Sequence, residues 1–224
     1  MNNRNIRIYP SILSADFSKL GEDIISVTKG GADGIHIDIM DGQFVPPITF
    51  GPMIVPFVRD KTHLPLDVHM MVLEPGRYFQ ELVDFGVNSI TVHLEACKDI
   101  HQTLKILKTY DVVSCLAVNP KTDHTSLVPL IHYIDQVLVM SVQPGYGGQP
   151  FIPRSLDKIK QVKKMLIDNG SSANIQVDGG INKRTIRQVT DAGANIVVAG
   201  SAVFNSGSTS DNLKCLRKSA GKIT

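Results

Sequence analysis

The chain is sparing in cysteine, has no marked excess of either charge and contains no long apolar run. Its three cysteines, Cys97, Cys115 and Cys215, are odd in number and unrelated in spacing. That argues against a disulfide framework and for reduced thiols in a cytoplasmic protein. The formal net charge is +2, with lysines and arginines scattered among acids. Such a balance creates no strong field, so neither nucleic acid nor a membrane surface is an expected partner. No stretch approaches the ~18 apolar residues of a membrane span. The opening "MNNRNIRIYPSILSADF" has neither an apolar core nor a small-residue cleavage site, so no secretory signal is expected. The sequon Asn169 to Ser171 is accordingly read as chance. Linkers and low-complexity segments are also missing. At 224 residues and 42% hydrophobic, the chain can bury a full core. It is read as one domain spanning residues 1–224, a length at which closed α/β barrels are common.

What is present is alternation. Short β-branched runs recur as "IRIYP", "GIHIDIM", "LDVHMMV", "SITVHL", "VVSCLAV", "QVLVMSV", "IQVDGG" and "IVVAGS", eight candidate strands. Amphipathic helical patterns lie between them. The first places Phe17, Leu20, Ile24 and Val27 on one face, with Ser14 or Asp16 to cap it and Gly30-Gly31 to stop it. A phrase recurs as "GADGIHI", "GVNSITV" and "GANIVVA": a glycine suited to a left-handed stop, a short loop, then a strand. Eight strand–helix units predict a parallel eight-stranded (β/α)8 TIM barrel of the α/β class. An open doubly wound sheet is the alternative, but no strand is followed by a complete G-x-G-x-x-G.

Period-two alternation predicts which side chains enter such a barrel. His36, Asp38 and Met40 point inward from "GIHIDIM", and Asp67, His69 and Met71 share a face of "LDVHMMV". "IQVDGG" puts Gln176 and Asp178 together. His36, Asp38, His69 and Asp178 therefore converge at the carboxyl ends of strands, where barrel active sites lie. Two imidazoles and two carboxylates suit Zn, Mn, Co or Fe(II) better than Mg or Ca. Met40, Met71 and Met140 read as core filler or as a polarisable dry wall beside a ligand. Glycines recur in the same loops: "GYGG" at Gly145–Gly148 with Tyr146 and Gly147, "DGG" ending in Gly179-Gly180, and "GS" at Gly200-Ser201. Glycine lets backbone N–H groups approach an anion, so these loops form a candidate phosphate cradle.

In order along the chain, "PSILSADF", "HIDIMDGQFVP", "DVHMMV", "VQPGYGGQPF", "VDGGI" and "VAGSAVF" resemble the ribulose-phosphate 3-epimerase family, from about Tyr9 to Phe204. The resemblance implies a metal-dependent isomerase of the pentose phosphate pathway. It would interconvert D-ribulose 5-phosphate and D-xylulose 5-phosphate at C3 by two-base proton transfer through a metal-stabilised enediolate. It implies one divalent ion per subunit, zinc first, on His36, Asp38, His69 and Asp178. Asp38 and Asp178 match the acid/base pair. Ser11, His36, His69, Met40, Met71, Met140, Gly145 to Gly148, Asp178 to Gly180, Gly200 and Ser201 match positions around the ketose phosphate. A homo-oligomer, dimer or hexamer, is implied too.

Three positions depart from the family pattern: Pro47 where asparagine is usual, Gln176 where an acid is common, and Pro150 where lysine is frequent. An epimerase of a six-carbon ketose phosphate such as allulose 6-phosphate would use the same ligands and stays open. A decarboxylase with D-x-K-x-x-D on a strand is rejected, because "DVHMMV" has His69 at the lysine place and Val72 at the second acid. A non-catalytic metal or sugar-phosphate binding barrel would be expected to lack one proton-transfer carboxylate.

Overall fold

A computed structural model describes residues 6–205 and 207–221; the first five residues of the opening stretch lie outside them. Eight strands form one parallel sheet: β1 (Arg7–Pro10), β2 (Ile35–Met40), β3 (Leu66–Met71), β4 (Ser89–His93), β5 (Val113–Val118), β6 (Gln136–Met140), β7 (Asn174–Asp178) and β8 (Ile196–Ala199). Each anticipated strand is present. Neighbours in sequence pair in register from β2 to β8, and β8 pairs with β1. The ring closes between β1 and β2 through a single parallel bridge, Ser11 to His36. Asp33 clamps the same seam, its N–H donating to Ile8 O at 3.0 Å while its carboxylate accepts the Ile8 N–H at 2.8 Å.

The outer layer holds α1 (Leu20–Lys29), α2 (Ile54–Lys61), α3 (Phe79–Asp84), α4 (Ile100–Leu107), α5 (Ser155–Asp168), α6 (Ile186–Ala192) and α7 (Thr209–Ser219). The link from β5 to β6 is different. There a 3-10 run, His124–Tyr133, replaces the expected α-helix. Pro129 inside it has no N–H to give an α-helical ladder.

The start of α1 also differs from expectation. Ser11 caps one 3-10 turn and Asp16 a second, so the α-helix begins only at Leu20 and Ser14 caps nothing. Phe17 falls on that second turn and is 52% exposed, while Leu20, Ile24 and Val27 pack inward. The recurring glycine stop is real: Gly31, Gly86 and Gly193 have φ of 89°, 79° and 132°.

Strand faces divide as the alternation requires. Ile35, Ile37 and Ile39 of β2, with Val68 and Met70 of β3, join the apolar layer between sheet and helices. That layer shields the outer face of the sheet and supplies most of the burial, worth roughly 1.5–3 kcal/mol per large aliphatic side chain. The barrel interior is smaller and mixed. Cys115, Ala117, Leu138, Met140 and Val142 form its apolar side. Facing them stand buried polar groups, His36, Asp67, His69, Ser89, Thr91, His93, Gln136 and Gln176 among them.

Candidate metal and sugar-phosphate site

Polar groups inside a barrel must be partnered, since an unmatched one costs several kcal/mol. At the deepest level, Asp67 is fully buried and well satisfied. Its Oδ2 accepts from His36 Nδ1 at 2.7 Å and from Gln176 Nε2 at 2.6 Å, and its Oδ1 accepts from Ser89 Oγ. Gln136 Nε2 in turn donates to Gln176 Oε1 at 2.8 Å. Gln176 therefore braces Asp67 rather than altering the charge beside Asp178, and its departure from the family pattern has a structural use. Burial opposes ionisation of Asp67, but the His36 hydrogen bond and charge, with Ser89 and Gln176, outweigh it and hold the carboxyl below its usual range.

With Nδ1 committed to Asp67, His36 turns Nε2 toward the site. That atom is buried without any hydrogen-bond partner and lies 3.3 Å from Asp38 Oδ1. A second imidazole closes on the same oxygen: His69 Nδ1 is 3.0 Å from Asp38 Oδ1 and 3.8 Å from Asp178 Oδ2. Four ligand atoms from His36, Asp38, His69 and Asp178 lie within 4.8 Å of one another. An orphaned imidazole nitrogen among carboxylate oxygens is a donor set that a cation fits, and the two nitrogens favour a transition metal over Mg or Ca.

The two carboxyls are not equivalent. Burial disfavours the charged form of Asp38, yet the charge and hydrogen bonds of His36, then of His69, overcome it and hold Asp38 far below the ordinary carboxylate range. Ser11 Oγ donates to its other oxygen at 2.5 Å. Asp178 goes the other way: burial, then the negative charge of Asp38, pushes it up to about 7. The histidines split as well. For His36 burial is outweighed by Asp38 and Asp67, and its pKa stands well above the ordinary value; for His69 burial prevails and lowers it.

Above this cluster a cavity of about 410 Å³ opens at the carboxyl ends of the strands. Asp38, Asp178, Ser11, Met40, Met71 and Met140 line its base, and Gly145 to Gly148, Gly179, Gly180, Gly200 and Ser201 its wall and rim. His36 and His69 lie behind the lining, fully buried. Tyr146 stands at the rim, 60% exposed. Close approach explains two of the glycines. A Cβ on Gly180 would stand 2.5 Å from Phe151 N, and one on Gly179 2.5 Å from a Val142 methyl, both at positive φ.

The neighbouring loops are held by backbone-directed bonds. Asp41 accepts from the N–H groups of Gln43, Phe44 and Leu73 at 2.8, 2.9 and 2.9 Å, a turn-making role. Pro47 contributes its carbonyl to Gly42 N–H at 3.0 Å, so the loop is ordered without a side-chain amide. Pro150 sits exposed on the cavity lining.

One member of the cluster was not anticipated. His93, at the end of β4, is fully buried, with its Nε2 2.8 Å from His69 Nε2. Burial lowers its pKa to about 4, so the ring is neutral at physiological pH. The signal was present in "SITVHL", whose alternation sends Ser89, Thr91 and His93 inward with the ligands.

Against known proteins, residues 7–204 match the model of the ribulose-phosphate 3 epimerase family. The chain is 48% identical over 217 residues to the ribulose-phosphate 3-epimerase of Bacillus subtilis (strain 168), covering 96% of this chain and 99% of that protein. It is 44% identical to the ribulose-phosphate 3-epimerase of Synechocystis, covering 96% and 95%. Among solved structures, the tryptophan synthase A-subunit of Pyrococcus furiosus aligns with a TM-score of 0.70 at 17% identity, over 99% of this chain and all of that one, a likeness of fold alone. With the barrel, the cavity and these relatives taken together, the chain belongs to the ribulose-phosphate 3-epimerase family and is an isomerase of that class.

Proposed function

We propose that the protein interconverts D-ribulose 5-phosphate and D-xylulose 5-phosphate by inverting C3. The observation that carries this reading is the unequal carboxyl pair, Asp38 strongly favouring ionisation and Asp178 held up to about 7, facing one cavity from β2 and β7.

Inversion needs a proton taken from one face of the carbon and another delivered to the opposite face. The C3 hydrogen is acidic because it lies α to the C2 ketone. Asp38, ionised and steadied by Ser11 Oγ, suits removal. Asp178, whose proton affinity burial and the charge of Asp38 raise, suits delivery, and the roles exchange for the reverse direction. His36, Asp38, His69 and Asp178 would hold a divalent transition ion, zinc first and Fe(II), Mn or Co as alternatives. Such an ion would supply Lewis acidity that stabilises charge developing on the substrate oxygens. Met40, Met71 and Met140 give the cavity floor an apolar surface that keeps water from the reacting carbon. The glycine loops would take the phosphate on backbone N–H groups, leaving the sugar extended toward the carboxyls.

The protein is proposed to act as a single catalytic domain in the cytoplasm, where its unpaired thiols stay reduced. Among the described residues no helix is long and apolar enough to cross a membrane. A homo-oligomer is the proposed working form, supported by the exposed apolar side chains Ile48, Met53 and Phe57 on α2 and the loop before it.

The deciding experiment follows exchange of the C3 proton with deuterated solvent on five- and six-carbon ketose phosphates. Exchange accompanied by epimerisation on ribulose 5-phosphate is expected. No exchange on any member of the panel overturns the reading, and exchange confined to the six-carbon members reassigns the substrate.

A further inference from the structure

Beyond the four candidate ligands, the buried His93 and its solvent-accessible partner Glu95 have no part in the chemistry described so far. His69 and His93 meet edge to edge, Nε2 to Nε2 at 2.8 Å, with ring planes 22° apart and centroids 5.0 Å apart. Near-coplanar rings at that separation form an in-line N–H···N hydrogen bond, in which one nitrogen must donate and the other accept. The far side of His93 decides the direction. Its Nδ1 lies 3.4 Å from Glu95 Oε2, and a carboxylate can only accept. His93 therefore carries its proton on Nδ1 and presents a lone pair at Nε2. His69 then donates from Nε2, and its Nδ1, 3.0 Å from Asp38 Oδ1 and 3.8 Å from Asp178 Oδ2, is the nitrogen whose contact with Asp38 a cation would replace.

Glu95 is anchored for this purpose. It accepts from Asn119 N–H at 2.9 Å and from the Thr122 hydroxyl. Lys158 Nζ pins the same loop by donating to the carbonyls of Asn119, Pro120 and Thr122 at 2.7, 2.7 and 2.6 Å. Phe44 packs on the His93 ring at 4.8 Å between centroids and limits its swing.

We infer that His93, locked by Glu95, is a positioning residue that selects the His69 tautomer and so prepares Nδ1 to bind metal. The inference rests on the metal reading of the His36, Asp38, His69 and Asp178 cluster. A partner that orients a metal-binding histidine typically alters metal affinity by 10–100-fold.

The test measures zinc affinity of metal-stripped protein by competition with a chromophoric chelator, together with the visible spectrum of the cobalt form. For His93→Leu, zinc affinity is expected to fall about 10- to 100-fold and the cobalt bands to shift. His93→Gln should recover much of the loss, because its amide oxygen can accept from His69 and its NH2 can donate to Glu95. Glu95→Ala, nearer the rim, should fall between wild type and His93→Leu. It keeps the question decidable if His93→Leu does not fold. Wild-type affinity and an unmoved cobalt spectrum in folded His93→Leu, or in Glu95→Ala if only that variant folds, overturn the positioning role alone. So does a His93→Gln variant as weak as His93→Leu. A wild-type protein that binds neither zinc nor cobalt overturns the metal reading and this inference with it.

Discussion

His36 and Asp67 are joined by a 2.7 Å hydrogen bond from imidazole Nδ1 to carboxylate Oδ2, at the bottom of a fully enclosed polar layer. This bond faces away from the cavity, yet it determines what the cavity contains, because it leaves Nε2 as the nitrogen directed at Asp38. Gln176 and Ser89 also donate to Asp67, which keeps it ionised and so an acceptor toward His36.

Replacing Asp67 by asparagine should therefore do more than remove a charge. An amide NH2 turned toward His36 would favour the opposite tautomer and put a proton on the nitrogen meant for metal. Zinc affinity of Asp67→Asn is expected to drop about 10- to 100-fold. Folding stability should fall by about 1–3 kcal/mol as buried partners lose their bonds. Chelator competition and urea denaturation read the two effects separately. Unchanged zinc affinity would contradict the orienting role of Asp67.

How far the sequence exposed this arrangement depends on what period-two alternation can report. It sorted His36, Asp38, His69 and Asp178 to the inside because side-chain direction on a strand is geometric. It also sent Asp67 and Gln176 inward, and Ser89 and His93 alternate the same way without having been singled out, because direction alone does not tell a group that faces a ligand from one that braces it. That distinction depends on height along the barrel axis, which strand stagger sets and spacing within one strand does not record. The 3-10 path of His124–Tyr133 was hidden for a related reason: its apolar residues fit a helical stripe, and only Pro129 warned against a continuous one. The late start of α1 follows from two local caps, Ser11 and Asp16, each taking a turn of its own.

Asp178→Asn should abolish epimerisation while the barrel still folds. Losing one general acid/base typically costs 10²–10⁴-fold, and among the described residues lining the cavity the only other carboxyl is Asp38. Turnover is expected to fall at least about 1,000-fold, with the far-ultraviolet circular dichroism spectrum unchanged. Asp38→Asn should be equally inactive. Substantial epimerisation by either variant would sink the two-base assignment.

The phosphate loops offer a graded comparison. Alanine at Gly180 forces a Cβ to 2.5 Å from Phe151 N at φ +64°, where backbone rather than a flexible side chain must yield. Alanine at Gly147 meets only ordinary contact, 3.6 Å from Ser14 Oγ, and needs no left-handed backbone. Gly180→Ala should therefore lose roughly 1–3 kcal/mol of stability and raise KM for the ketose phosphate more than it lowers kcat. Gly147→Ala should stay close to wild type in both. Equal behaviour of the two variants, in stability and in KM, would remove Gly180 from the cradle.

Metal removal and pH should interact with a definite sign. Asp178 is pushed up to about 7 in the fold, against an ordinary carboxyl value near 3.8. The stabilisation tied to its proton is complete at low pH and is lost as pH rises through about 7. His36 is also raised above the ordinary histidine value, so its share is present below about 6.5 and lost as pH climbs further. His69 and His93 are lowered, so their opposite dependence ends by about pH 6.5, above which the unfolded rings too have lost their protons. Above that pH the raised groups act alone among these four. Metal-stripped protein should then lose stability between about pH 6.5 and 8, by at most about 1.4 kcal/mol per pH unit for each proton released. Bound zinc gives the same lone pairs a cation, so the stability gained on adding it should grow over that interval. Urea denaturation of stripped and zinc-loaded protein at three pH values in the window measures both slopes. Stability of the stripped protein that increases with pH there would contradict the pairing of His36 and Asp178 with their protons.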